Sequence, residues 1–237
     1  MKVNRLVVLL LLLAACRSSP DPVSVIVECR GAMRNFMVDH DISAKASLDT
    51  FANRRHLYAL GAMEDLKGEI QVFDGEPYLS RVFNGSLAFN GNFAGKAALL
   101  VYAEVPAWES FPVPGEVVSQ AGLEAFIATT GRQHGLDPAA AFPFLLEGQA
   151  ASVDWHVIDW PAGDTEHTHE KHRTSGLYGT LTDEPVEVLG FLSTSHTGIF
   201  VHHTTDVHMH LKTTDGRIAG HVDALSPGAG MVLKLPK

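Results

Sequence analysis

Two histidines separated by one residue stand in the run Val207-His208-Met209-His210-Leu211, and Gly220-His221-Val222-Asp223 follows shortly after. On a β-strand, residues i and i+2 share a face, so His208 and His210 project together and Met209 points the other way. Ten residues separate His210 from His221, and they include the turn signal Thr214-Asp215-Gly216. That spacing returns the chain as a neighbouring antiparallel strand, where His221 can join the other two. Three neutral imidazoles with one position left for water or substrate form a catalytic zinc arrangement rather than a closed structural one. Nickel, copper or iron would also suit three imidazoles, because geometry rather than residue type decides among them. The alternative reading is a pair of exposed strand histidines with an unrelated third.

The remaining elements must place these strands. Val23 to Val27 is a candidate strand, and Ser47 is a candidate N-cap for a helix running to about His56. Ile70 to Phe73 and Tyr78 to Phe83 flank Asp74-Gly75, which marks a hairpin. Ala97 to Val105 reads as a strand, Pro106 to Pro114 as a crossing loop, and Gly122 to His134 as a helix. Strand candidates then dominate: Phe144 to Leu146, Ala151 to Ile158, Val186 to Leu192, Val207 to Leu211, His221 to Leu225 and Met231 to Leu235. Between them Pro161 to Ser175 is polar, histidine-rich and poor in apolar residues, which predicts a loop. Few helices and many short strands predict an α+β chain with two mixed or antiparallel sheet subdomains, at about 23–140 and 141–237.

The first residues carry a different signal. Lys2 and Arg5 precede an apolar run from Leu6 to Leu13, and Leu13-Ala14-Ala15-Cys16 follows. A basic start, a short apolar core and small residues at its end read as a secretory signal over 1–15. The run is shorter than the roughly 20 residues that a spanning helix needs. Leu-Ala-Ala-Cys resembles the lipobox of bacterial lipoproteins, which implies a lipid on Cys16, a tether over 16–22, membrane attachment and a place in the cell envelope, periplasmic or at the outer membrane. An ordinary secreted protein with a chance cysteine is the alternative. If Cys16 is lipidated, Cys29 has no intrachain partner, so the core alone holds the fold. The formal net charge of -9, without a block of like charge, gives no footprint for nucleic acid. Thirteen histidines against four tyrosines is a skewed usage. His167, His169 and His172 read as a solvated loop, with adventitious metal binding or a lid as alternatives. Trp155 and Trp160 read as core, with a pocket lining as the alternative, and Cys29 as a structural thiol.

Taken together, Val207 to Leu211 and Ala219 to Asp223 resemble the zinc motif of the acetolactate decarboxylase family. Upstream, Leu60 to Ile70, continuing through Asp74-Gly75 to Tyr78, resembles that family's Leu-x-Gly-Glu segment and hairpin. Phe144 to Gly148 and Val188 to Phe191 are weaker matches in the same order, so the resemblance spans residues 24–225. It implies a two-domain chain, a possible homodimer, and zinc on His208, His210 and His221. It also implies decarboxylation of a small 2-hydroxy-3-oxo acid through a zinc-stabilised enediolate. Glu69 falls at the family's catalytic glutamate, with a solvated hairpin-end glutamate as the alternative. Three departures stand out. The family's threonine is Ala62 here. Its arginine falls on His156, which lacks the guanidinium fork that clamps a carboxylate. Its C-terminal glutamate has no counterpart in the 16 residues after His221.

Three functions therefore compete: a lyase acting on a small oxoacid, a non-catalytic envelope protein holding a metal or a chelating small ligand, and a structural protein with a relic site. Glu69 and His156 are the catalytic candidates of the first.

Overall fold

Strict alternation of side chains builds both sheets of the computed structural model, which describes residues 25–237. The expected signal over 1–15, the lipid on Cys16 and the tether over 16–22 lie outside the described residues. Among the described residues, no helix is long and apolar enough to cross a membrane.

The first sheet contains β1 (Glu28–Arg30), β2 (Ala46–Ser47), β3 (Leu57–Met63), β4 (Glu69–Phe73), β5 (Glu76–Phe83), β6 (Ser86–Asn90) and β7 (Lys96–Glu104). Its order is β1-β7-β3-β4-β5-β6, with β2 also on β7. In β4, Ile70 and Val72 join Leu57, Ala59, Leu100 and Tyr102 in one core under Leu48 and Phe51. The intervening Phe73 packs on the opposite side with Leu60, Leu99 and Val101, against Leu145, Leu189 and Phe191 of the second sheet. Period-two alternation therefore turns Glu69 and Gln71, in phase with Phe73, toward that second sheet. All five residues of β4 are buried.

The second sheet contains β8 (Trp108–Pro112), β9 (Phe142–Val157), β10 (Leu177–Leu192), β11 (Val207–Thr213), β12 (Ala219–Pro227) and β13 (Val232–Pro236). Its order is β10-β11-β12-β9-β13-β8, and β10 also pairs with β9, so β9, β10, β11 and β12 close into a ring. Val207, Met209 and Leu211 face a core with Trp155, Val157, Val222 and the helix residues Leu123 and Ile127. Each such apolar side chain contributes roughly 1.5–3 kcal/mol on burial. A one-residue slip of β11 would drive these residues out of that core, so the same packing that stabilises the strand fixes its histidine face. Every named strand pair in both sheets is antiparallel, within the expectation of mixed or antiparallel sheets.

Among the described residues the α-helices are α1 (Met33–Met37), α2 (Gln120–Gln133) and α3 (His169–Thr174). Several sequence expectations need correction. Residues 25–27 are not strand, and β1 begins at Glu28. The helix expected from Ser47 to about His56 is a single 3-10 turn, Leu48–Phe51, and the Ser47 side chain caps nothing. Pro106 to Pro114 holds a strand because β13 offers β8 a pairing edge, with Leu233 opposite Phe111. Pro161 to Ser175 is not all loop. Thr168 accepts a hydrogen bond from the Lys171 N–H at 3.2 Å and starts α3. Two strands expected in the stretch 144–158 are one, β9, because its partners β10 and β12 extend along it. Strands β3 and β6 were not anticipated. Cys29 is half-buried, and burial pushes its thiol up to about 12, which suits an inert role.

Candidate metal centre

Cross-strand register assembles the imidazoles. His210 pairs directly with His221 across β11 and β12, and His221 pairs with His156 across β12 and β9. The turn expected at Thr214-Asp215-Gly216 sets the first pairing, with Gly216 at a φ of 71°. Gly220 lets the strands approach this closely. A Cβ there would stand 2.5 Å from the His156 carbonyl oxygen. His208 lies two residues along β11 and so shares the face of His210.

The three expected ligands converge. The Nε2 atoms of His208 and His210 are 3.2 Å apart, and Nδ1 of His221 is 3.3 Å from His210 Nε2. Nitrogens sharing a tetrahedral ion at 2.0–2.1 Å stand about 3.3 Å from one another. His210 is fully buried, and His208 nearly so. His210 Nδ1 is 3.2 Å from Gln71 Oε1, and the Gln71 amide NH2 donates to Ser80 Oγ. That second bond leaves the Gln71 oxygen as acceptor, so His210 carries its proton on Nδ1 and presents a bare lone pair at Nε2. Burial pushes His208 down to about 3 and, with the neighbouring imidazoles, holds His210 and His221 well below the usual range. A buried cluster of neutral, lone-pair-bearing nitrogens at this spacing fits a divalent cation. It has no capacity to hold an anion.

Glu69 closes the other side. Its Oε2 is 3.9 Å from His210 Nε2, and its Oε1 is 3.8 Å from His156 Nε2. The Ile158 N–H donates to Oε1 at 3.3 Å. This carboxyl is not a solvated hairpin end. Burial holds its pKa well above the usual carboxylate range, the Ile158 N–H partly offsets that, and the charge of Asp223 adds to it. His156 Nδ1 donates to both oxygens of Asp223, at 2.9 and 3.0 Å. A carboxylate only accepts, so the pair fixes the tautomer and turns His156 Nε2 toward Glu69. Asp223 itself sits at a β-bulge between Val222 and Ala224, an irregularity that re-aims a side chain. His156, His221 and Asp223 form a second group of potential ligand atoms that shares His221 with the first.

Sequence reasoning named His208, His210, His221, Glu69 and His156, and the structure brings all five together. It missed Gln71 and Asp223. A signal existed for each: both stand two residues beyond a named site residue and so share its strand face. The expected solvated loop is partly wrong here too. His172 is pushed down to about 3 by burial, and its Nε2 is 2.9 Å from His167 Nδ1. His167 stacks on Trp160 with ring centroids 4.4 Å apart. His169, His172, His202 and His203 line the cavity above the trio, whose volume is about 450 Å³. His196 bonds Ser193 Oγ at 2.7 Å and stacks on Phe200, which is a structural role.

These shifts set an acid limit for the metal-free protein. The unfolded chain protonates its imidazoles below about pH 6.5, whereas folded His208, His210 and His221 stay neutral to lower pH. The unfolded state then binds more protons, so stability falls as pH drops through that window. Glu69 has the opposite sign: stability from its protonated form is lost as pH rises above 4.5. Three groups outweigh one. Thermal melting followed by circular dichroism should therefore give a lower Tm near pH 5 than near pH 7 for protein stripped with a chelator. A flat or inverted profile would contradict the buried neutral assignment.

No protein-family model and no curated protein matches the chain. Solved structures do. A Staphylococcus aureus protein of unknown function, described as similar to alpha-acetolactate decarboxylase, superposes with a TM-score of 0.70 at 13% identity, over 88% of this chain and 84% of that one. The alpha-acetolactate decarboxylase of Bacillus subtilis strain 168 gives 0.70 at 14% identity, over 89% and 85%. That of Bacillus subtilis subspecies spizizenii gives 0.70 at 15%, over 89% and 86%. The fold is therefore that of acetolactate decarboxylase, and at these identities the likeness speaks for the fold alone.

Proposed function

We propose that the chain is a metal-dependent lyase that removes carbon dioxide from a small 2-hydroxy-3-oxo acid. The observation that carries this reading is the convergence of the His208, His210 and His221 nitrogens beside the buried carboxyl of Glu69, at a cavity that His208, His221 and Glu69 line. His208, His210 and His221 would hold a divalent ion, and zinc suits three neutral imidazoles with a further position open. Bound there, it would stabilise negative charge gathering on the substrate's oxygens as a Lewis acid.

The remaining work falls to the chain's own side chains. When the bond to the carboxylate breaks, its electron pair passes to the adjacent carbon and into the 3-oxo group, and a proton must return to that carbon. Glu69 stands beside the trio, and in the metal-free protein burial raises its pKa above the usual carboxylate range, so its carboxyl is placed to pass a proton to the reacting carbon. His156, directed by Asp223, turns its Nε2 toward Glu69 at 3.8 Å, and the Ile158 N–H holds the Glu69 carboxyl. Leu66, Leu99 and Ile158 line the cavity with apolar surface and keep bulk water off the reacting atoms. Zinc-loaded protein supplied with racemic 2-acetolactate should release acetoin faster than the spontaneous reaction. Acetoin at the spontaneous rate would remove this activity.

One residue favours a second reading, a non-catalytic binder of metal or of a chelating small ligand. His156 stands where the resemblance places an arginine, and it is already committed to Asp223. Substitution of Glu69, taken up below, separates the two readings.

A further inference from the structure

Apart from the ion that the trio would hold, the cavity offers few cationic side chains to an acid substrate. Among the charged side chains that line it, Glu69 and Asp223 are acidic, and Arg34 is the single lysine or arginine. Arginine stays charged at any working pH, and its planar fork matches a carboxylate with two parallel hydrogen bonds. Arg34 has no carboxylate partner among the described residues; Arg55, Arg81 and Arg132 have none either, but they do not line the cavity.

Its backbone is nevertheless held. The Arg34 N–H donates to the Gly198 carbonyl at 3.0 Å, and the Met33 N–H to the Ile199 carbonyl at 2.8 Å. Phe36 buries its ring one turn along α1 and stands 5.7 Å from the His172 ring. Helix α1 is thus pinned against one wall of the cavity mouth, and its one cation remains uncommitted. Arg34 is exposed, yet it lines the same cavity as the buried Glu69 and His208, so it stands on the solvent side of that cavity. A volume of about 450 Å³ exceeds the need of a five-carbon acid, given that one water occupies about 30 Å³.

We propose that Arg34 is a carboxylate-recognition residue for the end of the substrate remote from the reacting atoms, so that the preferred substrate is an oxoacid bearing a second, non-reacting carboxylate. The proposal rests on the lyase reading for the word substrate, but the binding site stands or falls separately. A remote ion pair of this kind holds the reacting end over the trio, which is how binding energy from a distant group is turned to orientation.

The test uses pairs of non-reacting ligands that differ only in the distal carboxylate. Zinc-loaded protein is titrated calorimetrically with 2-hydroxysuccinate, 2-hydroxyglutarate and 2-hydroxyadipate, each against the 2-hydroxy monocarboxylate of equal chain length. At least one dicarboxylate should bind about tenfold tighter than its partner, a preference of the size of a charge-assisted hydrogen bond. Arg34→Gln should abolish that preference and leave monocarboxylate binding unchanged. Arg34→Lys should keep part of it, through charge without the fork. Preference absent in all three pairs, preference that survives in Arg34→Gln, or no binding of any ligand would each overturn the proposal. If the preference holds but 2-acetolactate yields no acetoin, the anion site stands and the acetolactate activity falls. Arg34 is exposed and its side chain bonds nothing described, so folding of the variants is not at issue.

Discussion

Alanine at His210 should leave a protein that no longer retains a divalent ion through gel filtration, with affinity lowered by at least about 100-fold. Removing partners that merely orient a ligand already costs 10–100-fold, and His210 is the ligand at the middle of the trio. Its Nε2 faces both other nitrogens, at 3.2 and 3.3 Å. His208 and His221 alone would offer two donors, too few for a tight site. The change also removes the donor to Gln71 Oε1 and leaves that buried oxygen unsatisfied, at a cost of roughly 1–3 kcal/mol in stability. Elemental analysis after dialysis reads the metal, and thermal melting reads the fold. Stoichiometric metal in a folded His210→Ala protein would remove the proposed centre. Gln71→Ala sorts the two effects, because it disturbs the tautomer of His210 without deleting the ligand.

Glu69→Gln should cost turnover about 10²–10⁴-fold and leave the metal content as it was. Glutamine keeps the shape and can still accept from the Ile158 N–H, but it has no proton to give at the trio. The same variant should melt higher than the parent at alkaline pH when both are metal-free. The parent carboxyl is held protonated in the fold, so raising the pH favours the unfolded chain, where it ionises freely. Glutamine does not titrate, so that penalty disappears, and the stabilisation should fade toward pH 4.5, the ordinary value of the group. A variant with full activity and intact metal would favour the binder. The melting difference tests the buried-acid assignment whichever function holds.

Much of the candidate site was legible in the residues because it rests on strand arithmetic. His208 and His210 share a face by the two-residue period, and Thr214-Asp215-Gly216 brings His221 alongside. The register then pairs His210 with His221 as the spacing requires. The hairpin around Asp74-Gly75 was equally readable, with Phe73 paired to Glu76. Failures cluster where pairing edges decide the outcome. Trp108–Pro112 ends in a proline and lies between Pro106 and Pro114, and it is a strand only because β13 lies beside it. Helix α3 arises in a polar segment from one Thr168 cap and from the packing of His172 against Trp160, with ring centroids 4.7 Å apart.

Local pattern settled which side chains share a face, since alternation is a property of a few consecutive backbone residues. It could not settle which faces meet. His210 and Gln71 are 139 residues apart in the chain, and Ile158 and Glu69 are 89 apart. Their meeting depends on the packing of one sheet against the other, a matter of summed burial over dozens of side chains that no short window contains. The same is true of charge. The resemblance marks Glu69 as a catalytic candidate and His156 as a poor substitute for arginine, but it shows the surroundings of neither. Only the dry space between the sheets makes the first a retained acid, and only the bulge at Asp223 gives the second a fixed direction.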